Sequence, residues 1–190
     1  MATTADLLLD GFARVRDAVH HAVEGLDAEQ LAYRIDPAAN SIGWLGWHLT
    51  RVQDDHVADV MGTEQVWLTG GWANRFDVPF DTVGYGQSSD EVGQVRVSSP
   101  ELITGYYDAV HEQTVRYVRE LRDEDLDRVV DTAWNPPVTL AVRLVSVLND
   151  DLQHAGQAAF IRACCCDAEH RARQTTWCSS VTGCPSPPSR

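Results

Sequence analysis

Four stretches of this chain carry apolar residues at steps of three and four, which is the spacing of one face of an α-helix. No stretch of similar length alternates apolar and polar residues in the way that a half-buried strand does. A helix with one apolar face must bury that face against a neighbour. The sequence therefore predicts a single all-α domain in which four amphipathic helices pack as a bundle.

Capping signals mark the ends of these helices. Gly25 and Gly62 follow the first two apolar stripes, Ser99 and Pro100 introduce the third, and Thr139 precedes the fourth. A short LDAEQL segment after the first helix predicts one extra turn. The predicted long helices occupy about 6–25, 41–62, 100–121 and 140 onward.

A long connection of about 63–98 separates the second and third helices and shows no sustained periodicity. Loops of this length inside a compact domain are uncommon and often functional. We expect the connection to cover a small-molecule pocket beside the second helix, with its aromatic side chains forming the apolar wall. The alternative is that these side chains only cover one end of the core. They are Trp67, Trp72, Phe76, Phe80 and Tyr85.

The charge balance excludes two classes of partner. Asp and Glu number 28 against 15 basic residues, all of them Arg, so the formal net charge is −13. Nucleic acids and anionic membrane surfaces both require a concentrated basic face. No apolar run approaches the ~20 residues that span a bilayer, and the N-terminus lacks the pattern of a secretory signal. These features predict a cytoplasmic protein that binds neither nucleic acid nor membrane.

The cysteines are confined to the end of the chain. All 5 lie after residue 163, which does not resemble a disulfide framework. The segment that contains them is also rich in Ser, Thr and Pro, as unfolded tails often are. We therefore predict a helical domain over residues 1–163 and a poorly ordered tail over 164–190 that contributes little to the fold.

Polar residues that interrupt the apolar stripes form a candidate metal site. Asp150 and His154 stand four residues apart on the fourth helix, so their side chains are neighbours and can converge on one ion. His48 on the second helix would complete a three-ligand site with open coordination positions for water or substrate. Asp151, which points closer to the core, is the alternative carboxylate. A solvated helix face explains the same spacing, and His56 competes with His48 or is a packed core histidine.

Two segments resemble signatures of a known family. Residues 40–52, NSIGWLGWHLTRV, resemble the second-helix signature of the DinB-like superfamily, in which the His is a metal ligand. Residues 150–157, DDLQHAGQ, resemble its fourth-helix signature, H-[DE]-x-x-H-x-G-Q. The two motifs stand about 100 residues apart, as in the family, and the resemblance covers about residues 5–163. This helical family is unrelated to the lesion-bypass polymerase of similar name.

The resemblance implies a fold and a ligand set. The fold is a four-helix bundle in up-down-down-up order with a long crossing connection, often assembled as a homodimer. The ligand set maps onto His48, Asp150 and His154, with Asp151 as the second choice of carboxylate. Zn²⁺ is the metal that we expect, with Ni²⁺ or Fe²⁺ as alternatives. The family usually has His where this chain has Asp150, although the mycothiol-dependent maleylpyruvate isomerases have Glu there.

The resemblance also implies a chemistry. Bacterial members of the superfamily include S-transferases and isomerases that use low-molecular-weight thiols such as mycothiol or bacillithiol. This chain is thus expected to be a metal-dependent thiol transferase or isomerase acting on a small electrophile. The alternatives are a metal-dependent hydrolase, and a non-enzymatic binding or stress protein whose metal site is structural or vacant. Arg51, one turn after His48, is a candidate for binding an anionic group, or it pairs at the surface with Asp54 or Asp55.

Overall fold

A computed structural model describes residues 2–76 and 78–180, with side chains up to residue 165. Four long helices dominate it, as the periodicity predicts, and short elements fill the connections. The long helices are α1 (Thr4–Val23), α3 (Ile42–Met61), α6 (Pro100–Glu120) and α7 (Leu140–Ser180). The short helices are α2 (Ala28–Leu31), α4 (Val66–Thr69) and α5 (Ser89–Gln94), with 3₁₀ turns at Trp72–Asn74 and Asp123–Asp127. The strands are β1 (Val129–Asp131) and β2 (Val138–Thr139).

The long helices begin and end where the sequence signals place them. The Ser41 side chain accepts a hydrogen bond from the Trp44 backbone N–H at 3.1 Å, which caps α3. Gly62 ends α3 with φ of 68°, a left-handed conformation that glycine adopts without a steric penalty. Pro100 lies in the first turn of α6. The Thr139 hydroxyl accepts from the Val142 N–H at 3.4 Å at the start of α7.

The first and second long helices, α1 and α3, lie diagonally across the bundle, and so do the third and fourth, α6 and α7. α7 packs mainly against α1 and α3, and α6 packs against the same two helices, whereas α1 and α3 make little contact. Trp47 of α3 and Tyr106 of α6 are both fully buried between the helices. A Cβ at Gly46 would lie 2.8 Å from Ile103, so the glycine allows α3 and α6 to approach closely. The structure thus confirms the all-α bundle and places α3 beside α7, where the two predicted ligand segments face each other.

The long connection contains more structure than the sequence indicated. It includes α4, a 3₁₀ turn and α5. Trp67 and Phe76 are buried and pack with Tyr106 at ring centroid distances of 5.3 and 5.9 Å. These aromatic side chains therefore cover one end of the core, which is the alternative that the sequence left open. Tyr85 is 92% exposed.

Two further features concern the sequence predictions. β1 and β2 form an antiparallel hairpin that the periodicity did not predict, because strands of three and two residues are too short to show alternation. The predicted boundary at residue 163 falls within α7, and Cys165 is 4% exposed. Side chains after Cys165 and the backbone after Ser180 lie outside the described residues, so most of the predicted tail is described only as the helical backbone of residues 166–180. Among the helices that are described, none combines the length and the apolar character needed to cross a membrane.

Candidate metal centre

The structure brings His48, Asp150 and His154 together between α3 and α7. One ligand atom from each residue lies within 4.8 Å of the others. The two imidazole rings meet edge to face with centroids 5.0 Å apart, and His154 Nε2 lies 3.6 Å from Asp150 Oδ1. This convergence depends on the diagonal packing order, which makes α3 and α7 neighbours although about 80 residues separate them.

Hydrogen bonds at the outer ring nitrogens orient both histidines. His48 Nδ1 donates to the Val83 carbonyl, which can only accept, so the Nε2 of the neutral ring keeps its lone pair. His154 Nδ1 lies 3.3 Å from Gln157 Oε1, which has the same effect. Trp44 stacks on the His48 ring at 4.4 Å and further restricts its rotation. In the neutral form of either ring Nε2 therefore carries the free lone pair, as in metal-ligating histidines.

The electrostatics of the cluster suit a divalent cation. Burial is the largest effect on His48 and lowers the pKa of its imidazole, an effect that the neighbouring His154 adds to and that Val83 and Asp150 oppose. A neutral imidazole is the form that binds metal. Asp150 Oδ2 is buried and has no hydrogen-bond partner among the described residues, as expected for an acceptor that needs a cation. An ion held at about 2.1 Å requires ligand atoms roughly 3–3.5 Å apart, so the cluster needs only small side-chain movements to fit one.

A cavity of about 350 Å³ opens beside the cluster. His48 and Asp150 lie on its wall, and His56 and Asp55 of α3 lie on the wall as well. Of the five aromatic side chains predicted as its wall, only Tyr85 reaches it. The remaining lining residues are Val52, Val83, Ser146 and Val147. A small molecule in this partly apolar pocket can therefore reach two of the three candidate metal ligands, His48 and Asp150.

Comparison with known proteins identifies the family. The model of the mycothiol-S-transferase (MST) family matches residues 7–165. The chain belongs to the mycothiol S-transferase family, a DinB-like family. The resemblance read from the two motifs is thereby confirmed. A search of curated proteins gave no match.

A solved structure shares the fold. The crystal structure of a conserved protein from Enterococcus faecalis superimposes with a TM-score of 0.79 at 27% sequence identity. The match covers 85% of this chain and 96% of that chain. The shared fold therefore extends over almost the whole of the Enterococcus faecalis protein, in agreement with the helical bundle described above.

Asp151, the alternative carboxylate, lies apart from the ligand cluster of this transferase-family protein. It is 0% exposed, and neither of its oxygen atoms has a hydrogen-bond partner among the described residues. Burial, and to a smaller extent the charge of Asp150, raises the pKa of Asp151 well above its ordinary value. An enclosed carboxyl group whose charged form is disfavoured by burial is a poor metal ligand, so the geometry favours Asp150.

Arg51 occupies a different place from the one that the sequence suggested. It is 2% exposed and does not line the cavity. Its guanidinium donates to Gln65 Oε1 at 2.7 Å and lies 4.7 Å from the centre of the Trp67 ring. Its ion pair with Asp54, at 3.8 Å, is in the interior and not at the surface as expected. Because the guanidinium is enclosed among these residues and lies off the cavity wall, the structure gives no support to a role for Arg51 in binding a cofactor.

The backbone at residues 83–84 is part of the site and carries no side-chain signal in the sequence. Gly84 has φ of 93°, and a Cβ there would lie 2.9 Å from Trp47 and 3.0 Å from His48 Nδ1. Only glycine allows the Val83 carbonyl to stand against His48. From the sequence, Gly84 could be interpreted only as a turn residue, because the residue it lies against, His48, is far away along the chain.

Replacing Gly84 by Ala is expected to weaken metal binding by about 10–100-fold, the usual cost of losing an outer hydrogen bond to a metal-ligating histidine. The added methyl group would push the Val83 carbonyl away from His48, and the left-handed backbone would be strained. Titration with Zn²⁺ followed by calorimetry measures the affinity. Gly86 also has positive φ, at 73°, but has open space around it, so Gly86→Ala controls for backbone strain alone. If the two variants bound Zn²⁺ with equal affinity, the loss could not be attributed to the contact between the Val83 carbonyl and His48.

Proposed function

We propose that this protein joins a low-molecular-weight thiol of the mycothiol type, through its sulfur, to an electrophilic carbon of a small molecule. A divalent metal ion, Zn²⁺ in the first instance, would be held by His48, Asp150 and His154. The observation that carries the proposal is a His-Asp-His cluster, two members of which line an open cavity, in a chain of the mycothiol S-transferase family.

The chemistry of the site follows from its donor set. When bound, a divalent ion lowers the pKa of a thiol that reaches it, and such a thiol is otherwise mostly protonated at neutral pH because its pKa is about 8.5. His48 and His154 contribute no charge, and Asp150 contributes one negative charge, so the donor set leaves a net positive charge that favours an anionic sulfur. The cavity beside the cluster provides the space in which the electrophile would lie next to that sulfur.

The nucleophilic sulfur comes from a co-substrate in this proposal. None of the residues that line the cavity is a cysteine, and Ser146, the one aliphatic hydroxyl among them, donates to the Val142 carbonyl at 2.8 Å. In the reaction a sulfur–carbon bond forms, the leaving group departs with its electron pair, and the thiol proton passes to solvent. The protein holds the metal, positions both substrates and limits the access of water.

The homodimer that the resemblance implies belongs to this proposal as well. Exposed apolar side chains recur at helical spacing along one face of α7, where a second copy of the chain would cover them. They are Val142, Val145, Leu152 and Phe160, exposed by 51, 58, 47 and 62%.

Turnover is expected to require both metal and thiol. The protein, purified without a histidine tag, is tested with an alkyl bromide and with mycothiol, bacillithiol or glutathione, and its metal content is measured by mass spectrometry. We expect one equivalent of metal, product formation with at least one thiol, and loss of turnover after chelation that added Zn²⁺, Ni²⁺ or Fe²⁺ restores. Product formation without thiol would instead support a hydrolase. Full metal content with no turnover would contradict the enzymatic proposal.

A further inference from the structure

His56 is a second histidine on the cavity wall that the ligand cluster does not use. It follows His48 by eight residues on α3, which is a rise of about 12 Å along the helix axis. The cavity extends from the cluster to His56, whose side chain is 35% exposed. A molecule that lies against the metal ligands therefore has His56 as a neighbour at the other end of the pocket.

Arg143 determines which nitrogen of His56 carries the proton. Arg143 Nη1 lies 3.2 Å from His56 Nδ1, and a guanidinium can only donate. His56 Nδ1 must therefore accept, which places the proton of the neutral ring on Nε2. No described residue forms a hydrogen bond with that Nε2–H, so it is available to a ligand.

The β-hairpin fixes Arg143 in turn. Arg143 Nη2 donates to Asp131 Oδ2 of β1 at 2.9 Å, and the pair is largely shielded, with side-chain exposures of 16 and 26%. Burial is the largest effect on His56 and, together with the charge of Arg143, lowers the pKa of its imidazole, while Asp55, Asp59 and Asp150 oppose the shift. Burial and the charge of Arg143 thus favour the neutral ring, and the Arg143 guanidinium, held by Asp131 of β1, selects its tautomer.

We propose that His56 Nε2–H donates a hydrogen bond to the oxygen of an electrophilic substrate, such as an epoxide, while the thiol sulfur attacks the adjacent carbon. This inference rests on the proposed function and assigns it a further catalytic residue. As the sulfur–carbon bond forms, the carbon–oxygen bond breaks and its electron pair goes to the oxygen, which finally takes up the proton that the thiol gave up. A fixed donor at that oxygen stabilises the charge as it develops. Arg143 is a positioning residue that acts through His56.

A matched pair of electrophiles tests the role of His56. Styrene oxide develops negative charge on oxygen, whereas 2-phenylethyl bromide has a similar carbon skeleton and releases bromide. His56→Phe keeps an aromatic ring but removes the donor. We expect His56→Phe to lower kcat/KM for the epoxide at least tenfold. In fully preorganised sites, the loss of one such donor costs about 10²–10³-fold. The bromide should change by no more than about twofold.

Two further variants support this comparison. His56→Gln retains an N–H donor and should restore part of the epoxide activity. His111→Phe, on α6 and away from the cavity, should leave both rates unchanged. Equal losses with both electrophiles, or no loss with the epoxide, would overturn the proposal. A wild-type protein that transfers thiol to neither electrophile would contradict the proposed function itself, and with it the role of His56.

The tautomer can be measured without any turnover. ¹⁵N chemical shifts of the His56 ring distinguish a protonated Nε2 from a protonated Nδ1. We expect the Nε2–H tautomer in the wild-type protein and a mixture of tautomers in Arg143→Leu, with a corresponding loss of epoxide activity. A protonated Nδ1 in the neutral wild-type ring would exclude the arrangement proposed for Arg143 and His56, whether or not the protein transfers thiols.

Discussion

Replacing His154 by Ala is expected to remove the bound metal and reduce thiol transfer by more than about 100-fold, because even outer partners of a metal ligand are worth about 10–100-fold. The variant leaves only His48 and Asp150 in the cluster. Two ligands hold a divalent ion far more weakly than three. Metal content by mass spectrometry and the rise of Tm on adding Zn²⁺ provide the readouts.

The two carboxylates of α7 provide the matched comparison for this prediction. Asp150→Asn removes the charged acceptor of the cluster and should also lose the metal. Asp151→Asn replaces a buried carboxyl group, whose pKa is raised well above its ordinary value, by a neutral group of the same size, so the metal should remain. A metal-loaded and active His154→Ala would contradict the site. If instead only Asp151→Asn lost the metal, Asp151 and not Asp150 would be the carboxylate ligand.

The convergence of His48, Asp150 and His154 could be predicted because its signals are local. Four-residue spacing on α7 and the position of His48 on the α3 stripe follow from helix geometry alone, and the two motifs add the pairing of the helices. The depth of His48 could not be read in this way. It is 6% exposed because Trp44 stacks on it and the backbone at Val83 and Gly84 closes over it. A backbone carbonyl contributes to a site without any residue type that marks it.

The burial of Arg51 illustrates a second limit. A charged residue on a helix is expected at the surface, since burying it is costly unless partners satisfy it. Its partners come from separate parts of the chain, with Gln65 before α4 and Tyr106 on α6. The same applies to His56, whose tautomer depends on Arg143 of α7. Such networks are a property of the packed bundle, and helical periodicity carries no information about them.

Replacing Asp54 by Asn is expected to lower the free energy of unfolding by about 3 kcal/mol, although the change alters only one atom of the side chain. Asp54 is 1% exposed and accepts hydrogen bonds from three donors. They are the N–H groups of Val66 and Trp67, at 2.8 and 2.7 Å, and the Tyr106 hydroxyl at 2.7 Å. The Asn amide nitrogen would face a donor where the second carboxylate oxygen accepts. At least one buried donor is then left without a partner.

Urea denaturation measures this loss, with two variants for comparison. Tyr106→Phe removes one donor and keeps the acceptor, so it should cost about 1 kcal/mol. Asp59→Asn makes the same chemical change at an exposed position of α3 and should stay within about 0.5 kcal/mol of the wild type. Metal content should be unchanged in all three variants because none of these residues belongs to the cluster. A stability of Asp54→Asn equal to that of Asp59→Asn would contradict the role of Asp54 as an acceptor.

The pH dependence of this stability difference has a defined sign. Burial is the largest effect on Asp54 and raises its pKa above the ordinary value of 3.8, more than the hydrogen bonds from Tyr106, Trp67 and Val66 lower it. The folded protein therefore binds a proton at Asp54 more tightly than the unfolded chain does. The resulting stability is complete below pH 3.8 and is lost as the pH rises through the raised pKa. Because Asn does not titrate, the difference in free energy of unfolding between the wild type and Asp54→Asn should become smaller as the pH rises over that range. A difference that becomes larger would show that the ion pair with Arg51 outweighs burial.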